Sequence, residues 1–302
     1  MNIIIAGGTG LIGTELIKEL IYRGHKIVVL SRNSDKKAVD EKFKIVKWDG
    51  TTTSGWAHLV DDSDAIINLA GENLGTGRWT PDKKKRMYSS RISAGNAIYE
   101  AVNVAKKKKR VILQASAVGY YGNVQNETLN ENSPPGNDFL ARLCIDWENS
   151  LKDIEKLNVR KIIMRIGLVL TPHGGALKQL LLPYKLFAGG PLGNGEQWWP
   201  WIHITDVITS MCFLLENEDA IGVYNLTAPD PVKMKDFGRA LGKVLKRPHW
   251  ISIPSVFLNI LLGEMSMIVL TGQRVIPDNL IKSGYEYQFG SLDSALQDLL
   301  IG

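Results

Sequence analysis

The chain opens with an apolar run, Met1 to Ala6 (MNIIIA), and passes at once into Gly7-Gly8-Thr9-Gly10-Leu11-Ile12-Gly13. Very few folds accept that succession. So short an apolar run predicts a buried strand, and glycines spaced three apart predict a tight turn that another group approaches closely. From Thr14 to Arg23, Leu16, Ile17, Leu20 and Ile21 fall on one helical face. Gly24 stops that helix, and Lys26 to Leu30 (KIVVL) predicts a second strand. Strand, glycine turn, helix and strand together predict the first unit of a doubly wound parallel α/β sheet, a Rossmann arrangement with a dinucleotide across the turn.

Each glycine has its own reason. Gly7 lets the chain leave the strand sharply, Gly10 lets a pyrophosphate come close to the backbone, and Gly13 lets the helix pack tightly. Leu11 and Ile12 lie in the first turn of the helix, whose free N–H groups and positive dipole end suit phosphate. The end of the second strand selects the cofactor. A carboxylate there would bind the ribose 2′-OH of NAD, but this chain has Ser31-Arg32, with Asp35 the nearest acid and Lys36 and Lys37 beyond. A guanidinium beside a hydroxyl suits a 2′-phosphate, which predicts NADP(H) over NAD(H).

Further strands are expected at 43–46, 64–69, 111–113, 160–166 and 222–226. Asp49, past the third, is placed either to accept from the adenine amino group or to form a turn. Leu69, Ala70 and Gly71 end the fourth, where small residues admit the cofactor ribose; Glu72 and Arg78 follow on the same loop, and Ile166 ends the sixth. Residues 126–137 are polar with Pro134-Pro135 and predict a loop, while 139–157 predicts a helix. From Thr171 the chain is broken by Gly and Pro, and Thr205-Asp206 is expected to cap a helix to Glu216. The predicted division is a nucleotide-binding domain of 1–168 with 202–228, and a smaller, mainly helical lobe of 169–201 with 229–302.

Net charge is +5, which favours anionic ligands but is too mild for a nucleic-acid binder. The runs Lys83 to Arg86 and Lys106 to Arg110 lack interleaved aromatics and read as solvated helix ends. The two cysteines, Cys144 and Cys212, have no metal or disulfide spacing, which fits a reducing compartment. No signal peptide precedes the first strand, and 251–270 is interrupted by Pro254, Asn259, Gly263 and Glu264, so it cannot span a bilayer. The expectation is a cytoplasmic protein with a small-molecule substrate and no metal, nucleic-acid or membrane partner; a homodimer through the flanking helices is compatible with it.

The residues now resemble the extended short-chain dehydrogenase/reductase superfamily: the glycine turn, Leu69-Ala70-Gly71, and Ser116 with Tyr121-Gly122. More closely, the chain resembles the atypical branch called the epimerase family (nucleotide-sugar epimerase-like). The segments concerned are Asn68 to Asn73, Ser90-Arg91, Ala117 to Gly122, Gly189 to Gly193, Trp201 to Ile204 with Asp206, and Gly272 to Pro277. That resemblance implies an epimerase-like or reductase-like enzyme whose substrate is unassigned, a nucleotide sugar being one option.

One departure matters. Redox members of the superfamily carry a Tyr and, four residues on, a Lys, whose charge lowers the Tyr pKa for proton transfer. Here the two registers supply Phe139 with Leu143, or Leu140 with Cys144; neither offers an acid or a base, and Arg142 replaces no identifiable group. The sole Tyr-x-x-x-Lys, Tyr22 to Lys26, lies at the end of the first helix, away from the nicotinamide. Ser116 is the candidate to bond a substrate carbonyl, or else it satisfies its own loop. Tyr121 and His203 are the other candidates for proton chemistry, each with a packing role as the alternative. Trp198, Trp199 and Trp201 could stack on a sugar or seal the lobes. Two readings follow: an NADP(H)-dependent enzyme with unusual acid–base residues, or an NADP(H)-binding sensor or scaffold without turnover.

Overall fold

The structure, a computed structural model, describes residues 1–32, 42–106 and 110–301. Asp35, Lys36, Lys37 and three lysines of the second basic run lie outside the described residues.

Seven strands form the central sheet: β1 (Asn2–Ala6), β2 (Lys26–Ser31), β3 (Phe43–Lys47), β4 (Ala65–Asn68), β5 (Arg110–Ala117), β6 (Val159–Ile166) and β7 (Gly222–Leu226). All neighbours are parallel, in the order β7-β6-β5-β4-β1-β2-β3. The order reverses between β1 and β4, which makes the crevice beyond their carboxyl ends the place for a ligand. The expected doubly wound Rossmann sheet is thus present.

Helices cover both faces: α1 (Leu11–Tyr22), α2 (Pro81–Val104), α3 (Phe139–Asn149), α4 (Gly175–Lys185), α5 (Ile204–Glu216), α6 (Met234–Leu245), α7 (Ser255–Leu262) and α8 (Leu292–Ile301). Strand alternation explains why Ile3 to Ala6 of β1 are all apolar: Ile3 and Ile5 pack on the side of α1 and α5, Ile4 and Ala6 on the side of α2. A separate core gathers residues of α4, α6 and α8 with Leu170, and Trp199 and Trp201 are buried in it, so the tryptophan segment forms a seam. Among the described residues no helix is long and apolar enough to cross a membrane.

Several elements differ from expectation. Strand β5 continues through Ser116 to Ala117 before one 3-10 turn, Val118–Tyr121. The stretch expected as a polar loop, 126–137, is entered by a strand, Val124–Leu129, paired in parallel with Gln273–Val275. Helix α3 stops at Asn149 because left-handed Asp153 and Asn158 bracket a separate turn, Ile154–Leu157. Helix α5 is capped by His203, whose Nδ1 accepts from the Thr205 N–H. The buried Asp206 carboxylate instead holds the C-terminal segment: it accepts from the Tyr285 hydroxyl at 2.9 Å and from the N–H groups of Gln288 and Phe289 at 2.9 and 3.0 Å.

Candidate functional site

The glycine turn has the geometry its sequence requires. Gly7 is left-handed at φ +80°, and a Cβ there would stand 2.6 Å from the carbonyl carbon of Leu69, so the turn lies directly on the end of β4. A Cβ on Gly13 would stand 2.6 Å from Gly8 Cα, which binds the helix start to the turn. A Cβ on Gly10 meets only Gly7 O, at 3.3 Å, and otherwise points into open space. Gly10 is also the N-cap of α1, with no side-chain cap and no acid in the first turn. The first-turn N–H groups, which a helix leaves unpaired, therefore remain available to an anion. Ile12 packs toward the sheet, and Leu11 is exposed beside Gly174.

Arg32 is exposed at the end of β2, next to buried Ser31. No carboxylate stands at that strand end among the described residues. Asp49 serves as a turn former: its carboxylate accepts from the N–H groups of Thr51 and Thr52 at 2.7 and 2.8 Å and from the Thr52 hydroxyl at 2.7 Å. Those bonds hold it down at about 2. Leu69, Ala70 and Ile166 are half-buried and Gly71 is exposed, as the rim of a crevice would be.

The loop after β4 is built from charges. Glu72 takes Lys83 at 2.8 Å and Arg86 at 3.2 Å, and the Lys83 hydrogen bond leads in holding its carboxyl below the usual range. Arg78 points elsewhere, donating to the carbonyls of Ile260 and Leu261 at the end of α7. Buried Arg91 supports Gly71 from beneath, bonding the carbonyls of Glu72 and Met87 and lying 4.8 Å from the centre of the Trp147 ring.

The residues at the end of β5 form a network that the sequence did not disclose. Ser116 Oγ donates to Glu148 Oε1 at 2.6 Å. Arg165 clamps the same carboxylate with two bonds, 2.9 and 3.0 Å. Burial pulls the Arg165 guanidinium down, but the bonds and charge of Glu148 outweigh it and raise it. Arg165 also donates to Tyr121 at 3.1 Å, whose hydroxyl donates to Asn225 Oδ1 at 2.7 Å. The phenol is buried and already bonded on both sides, and burial pushes it up to about 12. Asn225 N–H in turn donates to buried Glu131, whose carboxyl burial raises. Cys144, the residue in the Lys position of one register, is a buried thiol that burial pushes up to about 12. Sequence reasoning missed Glu148, Arg165 and Glu131. No spacing signals them, because Glu131 lies in a loop, Glu148 on α3 and Arg165 on β6, and only the fold brings them together.

His203 is not part of this network. It borders a groove of about 730 Å³ lined by α1, α5 and Asp298. Its Nε2 lies 3.3 Å from Asp298 Oδ2 without the alignment of a hydrogen bond, and burial lowers its pKa.

Residues 3–227 match the NAD dependent epimerase/dehydratase family, and residues 253–299 match a domain of unknown function, DUF1731. The chain belongs to the NAD dependent epimerase/dehydratase family. It is 39% identical over 300 residues to epimerase family protein SA0724 of Staphylococcus aureus (strain N315), covering 98% of each chain. It is 38% identical over 301 residues to epimerase family protein YfhF of Bacillus subtilis (strain 168), covering 99% of this chain and 98% of that one. Its fold matches the human epimerase family protein SDR39U1 (isoform 2), solved with NADPH, at a TM-score of 0.87 and 31% identity over 99% of both chains. Family and open glycine turn agree on an NAD(P)-binding, epimerase-like protein of the short-chain dehydrogenase/reductase type.

Proposed function

We propose that the protein is an NADP(H)-dependent epimerase-like or reductase-like enzyme acting at a hydroxyl or carbonyl carbon of a small molecule, with a nucleotide sugar as one candidate. The observation that carries this reading is the Glu148 carboxylate held 2.6 Å from Ser116 Oγ at the end of β5. The cofactor half rests on Arg32 and on the uncapped start of α1. The residues fit the cofactor: Gly10 leaves room for a pyrophosphate, Gly71 and Ala70 for a ribose, and Arg32 for a 2′-phosphate. When bound, the nicotinamide supplies or accepts the hydride.

The chain's own residues handle the proton. Arg165 clamps Glu148 with two bonds and Ser116 Oγ donates its hydrogen to the same carboxylate, so the Ser116 lone pairs remain to accept a substrate O–H. A substrate proton moves to Ser116 Oγ as the Ser116 proton moves to Glu148; reduction runs the same path in reverse. In this reading the Ser116–Glu148 pair does the proton work of the Tyr and Lys of the superfamily's redox members, whose positions here hold Phe139 with Leu143 or Leu140 with Cys144. Arg165 orients the carboxylate and Tyr121 supports Arg165 from its other side.

The test follows NADPH absorbance with a panel of aldehydes, ketones and oxidised nucleotide sugars, and NADP+ with the matching alcohols. Turnover that Glu148→Gln lowers by about 100-fold or more, with NADPH affinity unchanged, supports the relay. The second reading, a cofactor-binding sensor without turnover, is favoured by the near-complete burial of Ser116, 2% exposed. It replaces the first if NADPH binds and no compound reacts.

A further inference from the structure

Nine of the seventeen exposed large apolar side chains among the described residues fall in two short segments, 182–187 and 250–261. The segments adjoin. Trp250 Nε1 donates to the Phe187 carbonyl at 2.9 Å, the Trp250 and Ile251 N–H groups share the Gly189 carbonyl, and Arg247 lies 4.4 Å from the centre of the Phe187 ring. Helix α7 buries only Leu258, leaving Phe257, Ile260 and Leu261 exposed at 62%, 68% and 58%. Trp250 at 69% and Leu186 at 68% complete the patch. Scattered apolar residues are normal on a surface; a cluster of this kind marks a contact.

Along the two segments and the stretches that adjoin them in sequence the charges are of one sign. No Asp or Glu occurs from Gly174 to Gly195 or from Phe237 to Gly263, whereas Lys178, Lys185, Arg239, Lys243, Lys246 and Arg247 do. Over the whole chain the balance is 36 cations to 31 acids, so this segregation is local. Arg239 is paired with Asp236, and Glu264, just past α7, is paired with Lys84. A twofold contact of this patch with itself would bring the two basic rims together, which like-charge repulsion opposes. An aromatic and aliphatic face with a Trp at its margin and Lys and Arg around it has the chemistry of a helix lying in a bilayer interface.

We infer that the surface formed by the end of α4, Trp250-Ile251 and α7 docks on an anionic lipid bilayer. The contact is peripheral and needs no spanning segment. The expectation of no membrane partner rested on the absence of a spanning segment, a criterion that does not register exposed apolar surface. The contact is independent of the proposed reaction.

The experiment sediments the full chain with vesicles of phosphatidylcholine alone and of phosphatidylcholine with phosphatidylglycerol. Binding to the anionic vesicles is expected, weakening as salt rises. Lys246→Gln with Arg247→Gln weakens it about fivefold per removed cation. Phe257→Glu with Ile260→Glu abolishes it while NADPH binding is retained, which shows that the variant is folded. Absence of binding to anionic vesicles overturns the inference. So does equal binding to both vesicle types, or sedimentation velocity showing a dimer that Phe257→Glu with Ile260→Glu dissolves, which would make a second copy the occupant.

Discussion

Alanine at Gly10 and alanine at Gly13 separate the two jobs of the glycine turn. At Gly10 the backbone is ordinary, φ −78°, and the new methyl meets only Gly7 O at 3.3 Å. The folded cost is the weaker N-cap preference of Ala, about 0.5–1 kcal/mol. For a chain of this size that lowers Tm by roughly 1–2 °C. The methyl, however, occupies the space where the pyrophosphate approaches. Losing one charge-assisted bond from the helix start costs about 1.5–3 kcal/mol. NADPH affinity then falls about ten- to hundredfold. At Gly13 the methyl would sit 2.6 Å from Gly8 Cα and 2.7 Å from Gly7 O, and neither backbone atom can swing aside. Overpacking of about 3 kcal/mol, less about 1 kcal/mol of helix propensity gained, leaves roughly 2 kcal/mol, about 4 °C in Tm. Scanning calorimetry and an NADPH fluorescence titration read both effects. Gly10→Ala is expected to melt almost as the wild type and bind poorly, and Gly13→Ala to melt about 4 °C below the wild type. A Gly10→Ala protein that binds NADPH as tightly as the wild type refutes the placement of the pyrophosphate over that residue.

Two further outcomes test the buried network. Arg165→Met leaves the largely enclosed Glu148 without its charged partner and is expected to cost about 3–5 kcal/mol, which urea unfolding would detect; Arg165→Met with Glu148→Leu should recover most of it. Because burial raises the Glu131 carboxyl in the folded state, its contribution to stability is complete below the unfolded value of 4.5 and declines as pH rises through the raised value. Unfolding free energies of the wild type and Glu131→Gln, compared from pH 4 upward, should therefore converge or cross as pH rises, and a constant difference would contradict the assignment.

The first thirty residues were legible because their secondary structure is set by local signals. The β1–turn–α1–β2 unit needs only apolar periodicity and glycine conformation, and Gly7 has the positive φ that a sharp exit demands. The same holds for the small residues after β4. What was not legible depends on contacts between distant segments. Val124–Leu129 carries polar residues and forms a strand only because Gln273–Val275 comes alongside it. Ser116 was a candidate from its place after the fifth strand, but its partner Glu148 lies on a helix and the clamp Arg165 on another strand. Tyr121 and His203 are both ordinary proton carriers by residue type. One is locked between Arg165 and Asn225, and the other caps α5 at a separate groove. Asp49 offered two roles, and three short bonds to Thr51 and Thr52 show it in the turn.

The most direct test of the account is a titration of tryptophan fluorescence with NADPH and with NADH, on the wild type and on Arg32→Ala. The account predicts that the wild type binds NADPH at least tenfold more tightly than NADH, about 1.4 kcal/mol, and that Arg32→Ala removes the difference by weakening NADPH alone. Equal affinities in the wild type, or a preference for NADPH that survives Arg32→Ala, would contradict it.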